Sequence, residues 1–177
     1  MNMIVTLVLL LVVSPLLVFG QTTSSPAQAR LNELDFLLGE WKGTGCQFRA
    51  DRSCIKMSQT IKVQRDSTTN GLRIEDTMKP KSDTSFGEPP PSLSRRASLA
   101  YDDSSHFWMG NIGKSKLRGK LIDSKTFQWE EQSESGTVTR TTIKLSDDNE
   151  WHHTVEFWLG KSDGWFKGIE SVLKRSK

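Results

Sequence analysis

The chain is predicted to be all-β, a sheet of nine or ten antiparallel strands closed on itself, with one short helix near its start. Three observations carry this expectation. From Gly39 onward, apolar and polar residues alternate with the two-residue period of half-buried strands, in short runs separated by turn-like clusters. Regular short strands of this kind build a sandwich or a barrel. A single helical pattern precedes them, too little to cover an open sheet, so closing the sheet on itself is the favoured way to remove its edges.

Residues Met1–Gly20 carry no charged side chain and hold an apolar run broken by Ser14-Pro15. The run is short for a membrane span, and Val18-Phe19-Gly20 precedes a plausible cleavage point, so residues 1–20 read as a secretory signal peptide. The n-region lacks Lys and Arg, and an uncleaved anchor is the alternative. Residues 21–30, rich in Thr, Ser, Gln and Pro, read as a flexible leader, and 31–177 as one barrel domain. Leu31, Leu34, Leu37 and Leu38 recur at helical spacing, and Gly39 is placed to stop that helix.

In the first long strand, Ile55, Met57, Gln59, Ile61 and Val63 share one face. Thr69-Asn70-Gly71 marks a hairpin turn, and Leu72–Met78 alternates again. Lys79–Ser94 holds four of the six prolines, cannot be a central strand, and reads as an excursion at a barrel rim. Seven further strands follow, from Ala97–Tyr101 to Gly164–Lys174.

Charge and cysteines bound the function. A net charge of +3 with both signs interspersed describes a solvated surface, not a nucleic-acid footprint. Membrane contact is expected only through the N-terminal segment if it is retained. Oligomeric state has no signature in the sequence. Cys46 and Cys54 share strand parity across a short hairpin, so in an oxidising compartment they are expected to form a disulfide contributing about 2–3 kcal/mol. The expected location is exported, in a periplasm or outside the cell. None of the five asparagines sits in an Asn-x-Ser/Thr sequon, which favours a bacterial source.

The run Leu34-Asp35-Phe36-Leu37-Leu38-Gly39-Glu40-Trp41-Lys42-Gly43, followed by the meander, resembles the calycin group of lipocalins, fatty-acid-binding proteins and nitrobindin-like barrels. It is most similar to a bacterial family of exported lipocalin-like domains of unknown function. The resemblance implies an up-and-down barrel with Gly39 and Trp41 at its closed end, and Arg175 or Lys174 stacked on the indole for about 0.5–2 kcal/mol. Nitrobindin-like relatives hold haem through a late histidine. The last strand here has none, so no cofactor is expected unless the neighbouring strand supplies the ligand.

The densest chemistry lies in Trp151-His152-His153-Thr154-Val155-Glu156-Phe157-Trp158. His152, Thr154, Glu156 and Trp158 share one face and Trp151, His153, Val155 and Phe157 the other, and the sequence leaves open which face lines the interior. No third ligand is spaced to complete a metal site. The six tryptophans either line a ligand cavity or fill a core. The expected ligand set is Trp129, Trp151, His153, Phe157 and Glu170, binding a small, mostly apolar molecule. Glu156 and Glu170 are as readily exterior as interior. Two other readings stand beside this one: an enzyme using His152 or His153 with Glu156 or Glu170 as acid and base, and a filled structural or interaction protein of the envelope. Arg95-Arg96-Ala97-Ser98 resembles a kinase-recognition run, which an exported protein would not present to cytosolic kinases.

Overall fold

The computed structural model describes residues 26–81 and 91–176. The signal-peptide and cleavage expectations lie outside the described residues, as does most of the proline-rich excursion. Ten strands follow the N-terminal segment: β1 (Gly39–Phe48), β2 (Cys54–Asp66), β3 (Gly71–Pro80), β4 (Leu93–Asp102), β5 (Phe107–Ile112), β6 (Ser115–Asp123), β7 (Thr126–Gln132), β8 (Val138–Leu145), β9 (Glu150–Trp158) and β10 (Trp165–Arg175). Each pairs antiparallel with the next, and β10 returns to β1, closing an up-and-down barrel. The sheet therefore has no free edge.

The helix departs from the sequence expectation. α1 runs Pro26–Asn32, taking in part of the expected leader, and Asp35–Leu37 forms a separate 3-10 turn. Pro26 opens α1 at a position where the missing N–H costs nothing. Leu31, Leu34 and Leu37 keep one buried face across the break, so their spacing was read correctly and the continuity of the helix was not. The Lys79–Ser94 excursion is shorter than expected, because β3 extends through Pro80 and β4 begins at Leu93.

At the α1 end, Trp41 is fully buried and stacks on Trp151 with ring centroids 4.1 Å apart. Its indole N–H donates to the Leu37 carbonyl at 3.0 Å. Arg175, directly opposite Trp41 in the register, lays its guanidinium 4.7 Å from the indole centroid. Gly39 turns the chain into β1 at φ +118°, where a side chain would be strained. Gly43 lets β1 approach β10: a Cβ there would lie 2.0 Å from the Val172 carbonyl oxygen. Cys46 and Cys54 form a disulfide across the β1–β2 hairpin, with Cα atoms 5.2 Å apart.

Candidate functional site

Strand alternation points one residue in two at the barrel axis. The inward residues form two apolar clusters. The larger, at the α1 end, includes Leu34, Trp41, Ile61, Leu72, Trp108, Phe127, Trp151 and Leu173. The smaller consists of Ile55, Met57, Met78, Val155 and Ile169, with Phe157 packed against it. Between them, on four strands, one inward position is polar: Gln59 on β2, Asp76 on β3, His153 on β9 and Ser171 on β10. Gln59, His153 and Ser171 are each 2% exposed. Arg95 of β4, Glu131 of β7 and Thr141 of β8 extend this belt around the wall.

The belt is only partly hydrogen-bonded. Gln59 donates its amide to Asp76 Oδ1 at 2.8 Å. Arg95 pairs with Glu131, reaching past β5 and β6 to do so, and the Thr139 hydroxyl donates to the same carboxylate oxygen at 3.4 Å. Four buried polar atoms in or beside the belt have no partner among the described residues: Gln59 Oε1, Trp129 Nε1, His153 Nδ1 and Ser171 Oγ. Each such atom carries a desolvation cost of about 1–3 kcal/mol. They gather around a void of about 20 Å³ lined by Asp76, Arg95, Trp129, Thr141, His153 and Val155, or lie one residue behind that lining. A space of that size holds about one water.

Burial sets the charge states. Removal from water lowers the His153 pKa to about 4, assisted by the Arg95 charge, so the imidazole is neutral at pH 7. Burial also raises the Asp76 carboxyl above its ordinary range, against the opposing pull of the Gln59 hydrogen bond and of Arg95. Among the described residues no three His, Cys, Asp or Glu side chains converge as a metal site. His153 is an interior histidine on the strand beside β10, and its Nδ1 has no hydrogen-bond partner among the described residues.

The residues singled out by sequence separate into three places. Trp129 and His153 line the void, and Phe157 packs on the apolar layer above it. Trp151 belongs to the sealed end, beneath Trp41. Glu170 faces outward, exposed and paired with Lys167 at 2.9 Å, because Ile169 and Ser171 take the inward positions on either side. The acid–base pairs drawn from sequence do not assemble. His152 is exposed, Glu156 shares its outward face, and His153 points the other way. With its pKa near 4, His153 is also a weak general base at neutral pH. Gln59, Asp76, Arg95, Glu131 and Ser171 were missed as site residues. The signal was polarity at the apolar parity, as in Leu72-x-Ile74-x-Asp76-x-Met78 and Ile55-x-Met57-x-Gln59-x-Ile61.

Larger clefts lie elsewhere. One of about 280 Å³ sits at the rim among Phe48, Arg52, Trp165, Phe166 and Lys167, and one of about 250 Å³ lies on the outer wall beside Phe107, Arg118 and Arg140. Their cations are already engaged in part: Arg118 lies over Phe107, and Arg140 over Trp165 and against Glu130. Trp129 is common to the outer-wall cleft and the void, while Gln59, His153 and Ser171 line neither cleft.

Solved structures similar to this chain include two that span most of it. The S-type phycobiliprotein lyase CPES from Guillardia theta superposes with a TM-score of 0.60 at 10% identity, over 82% of this chain and 92% of that one. Rv2717c from M. tuberculosis gives 0.55 at 11% identity, over 86% and 99%. At such identities the likeness is one of fold. No family model and no curated protein matches the chain. The closed antiparallel barrel and its neighbours fit the calycin-like architecture implied by the Gly39-Glu40-Trp41 motif.

Proposed function

We propose that the protein is an exported lipocalin-like barrel that binds or carries a small, mostly apolar molecule. The observation that carries this reading is the belt: buried, unpartnered polar atoms of Trp129 and His153 beside a void, beneath an apolar layer containing two methionines. Buried polar atoms are ordinarily satisfied, and exceptions call for a function or an unseen partner. Met57 and Met78 are unbranched and repack readily, so an apolar chain displaces or threads that layer more easily than the aromatic end. The ligand's body then lies among Ile55, Met57, Met78, Ile169 and Phe157, and its polar end meets the belt. A solved barrel of this shape is a phycobiliprotein lyase, so the scaffold serves more than a structural role in at least one similar protein. Export draws support from the apolar leader and from the Cys46–Cys54 disulfide, which belongs in an oxidising compartment.

Titration of the mature protein with fatty acids, retinoids and related apolar probes tests the reading through intrinsic fluorescence, since Trp129 lines the void. Saturable quenching that a Trp129→Phe variant loses is the expected result. A flat response across the panel removes the proposal.

A further inference from the structure

We infer that the interior site selects a ligand whose polar end is a protonated amine, with Asp76 as its counter-ion. The inference rests on the reading that the barrel binds a small molecule, and adds the charge of that molecule.

The first argument is a charge count. The Asp76 carboxyl, the Arg95 guanidinium and a neutral imidazole line the void, and the Glu131 carboxylate pairs with Arg95. With both carboxylates ionised the set is one negative charge in excess, and a monocation balances it. An anionic head meets uncompensated carboxylate charge where the dielectric is low and salt screens little.

The second argument concerns how the guanidinium is committed. Asp76 and Arg95 are cross-strand neighbours in the β3–β4 register, an arrangement that ordinarily pairs opposite charges. Arg95 instead pairs with Glu131. Among the described residues no cation lies within ion-pair distance of Asp76, whose hydrogen bond comes from the Gln59 amide. A buried carboxylate without its cation is costly, and its raised pKa is the same cost seen from the proton's side.

The third argument is the hydrogen-bonding capacity left over. Gln59 Oε1 accepts only, and the Ser171 hydroxyl both accepts and donates. The Trp129 indole N–H donates only, and the neutral His153 imidazole carries one donor and one acceptor nitrogen. An ammonium group, with three donors and no acceptor, can donate to the Asp76 carboxylate, to Gln59 Oε1 and to the Ser171 oxygen. Coming from the Met57/Met78 layer, it reaches Asp76 as the first unpaired charge.

Octylamine, octanol and octanoate share one tail and differ in the head, so their affinities, read by tryptophan fluorescence at pH 7, isolate its charge. We expect octylamine to bind at least about tenfold more tightly than octanoate, with octanol between them. In Asp76→Asn the preference for the amine over octanoate should fall to within about threefold. Octanoate or octanol binding as tightly as the amine overturns this inference and leaves the binding reading standing. Binding by none of the three, with no response to the wider apolar panel, overturns both. The wild-type ranking decides the matter by itself should the variant fail to fold.

Discussion

The two ends of the barrel solve the same packing problem in opposite ways. At the α1 end, Leu31, Leu34 and Leu37 cap a stacked Trp41–Trp151 pair, and Arg175 lies over the top. The Trp41 N–H is matched by the Leu37 carbonyl, while the Trp151 N–H has no partner among the described residues. At the other end, a thin layer of Ile55, Met57, Met78, Val155 and Ile169 sits over a polar belt with four unpartnered atoms. One end spends its residues on stability, and the other keeps polar groups that a filled core would exclude. The proposed binding reading rests on that difference.

Predictions follow from trying to break that contrast. Trp41→Ala should cost about 3–5 kcal/mol, because it removes the stack, the hydrogen bond and the cation contact together. Met78→Ala in the opposite layer should cost nearer 2 kcal/mol, at the low end for a buried methionine. Denaturant unfolding compares the two, and equal losses would remove the asymmetry.

Acid offers a test specific to the belt. His153 has its pKa lowered from 6.5 to about 4 in the folded protein, so the unfolded chain binds the proton first as pH falls. Its contribution is intact above pH 6.5 and is lost progressively down to about pH 4, amounting to about 3 kcal/mol. Asp76 acts in the other direction: its raised pKa costs stability near neutrality, a cost relieved on protonation. Unfolding of His153→Leu should show a flatter slope between pH 6.5 and 4, and Asp76→Asn should gain stability at pH 7. A wild-type slope retained in His153→Leu would show that the imidazole is not the group responsible.

Reducing the Cys46–Cys54 bond, or replacing both residues by Ser, should lower stability by about 2–3 kcal/mol. Ligand affinity should survive wherever the domain stays folded, since the bridge crosses a hairpin and does not line the void. Arg175→Ala should cost about 1 kcal/mol through the lost cation contact. It should leave probe binding untouched, which calorimetry of both quantities would check. The smallest effect belongs to Glu170→Gln on the outer wall, where neither melting temperature nor probe affinity should move, as for exposed ion pairs generally.

Much of the scaffold was legible because it rests on local rules. The parity of Ile55-x-Met57-x-Gln59-x-Ile61-x-Val63 gave the inward face of β2, and the spacing of two cysteines gave the bridge. The Gly39-Glu40-Trp41 motif led to the closed end and to Arg175. The site was less legible. His153 and Trp129 were found through their apolar or aromatic company. Asp76 and Glu131 were overlooked because a carboxylate in an alternating strand ordinarily reads as a solvent-facing residue. Arg95 was hidden in a run that resembled a kinase motif. Glu170 went the other way: its strand bulges between Lys167 and Ile169, and a one-residue slip exchanges the two faces.

The sequence by itself determined the strand period, the pairing of cysteines and the residues that seal one end, since each depends on neighbours a few positions apart or on parity along a strand. The tertiary structure alone decided that Arg95 reaches past two strands to Glu131, that Asp76 has no cation within ion-pair distance among the described residues, and that His153 and Asp76 line one small void. Those relations join β3, β4, β7 and β9 across the barrel interior. Closure of the sheet brings them together, and no local pattern encodes how far it shears.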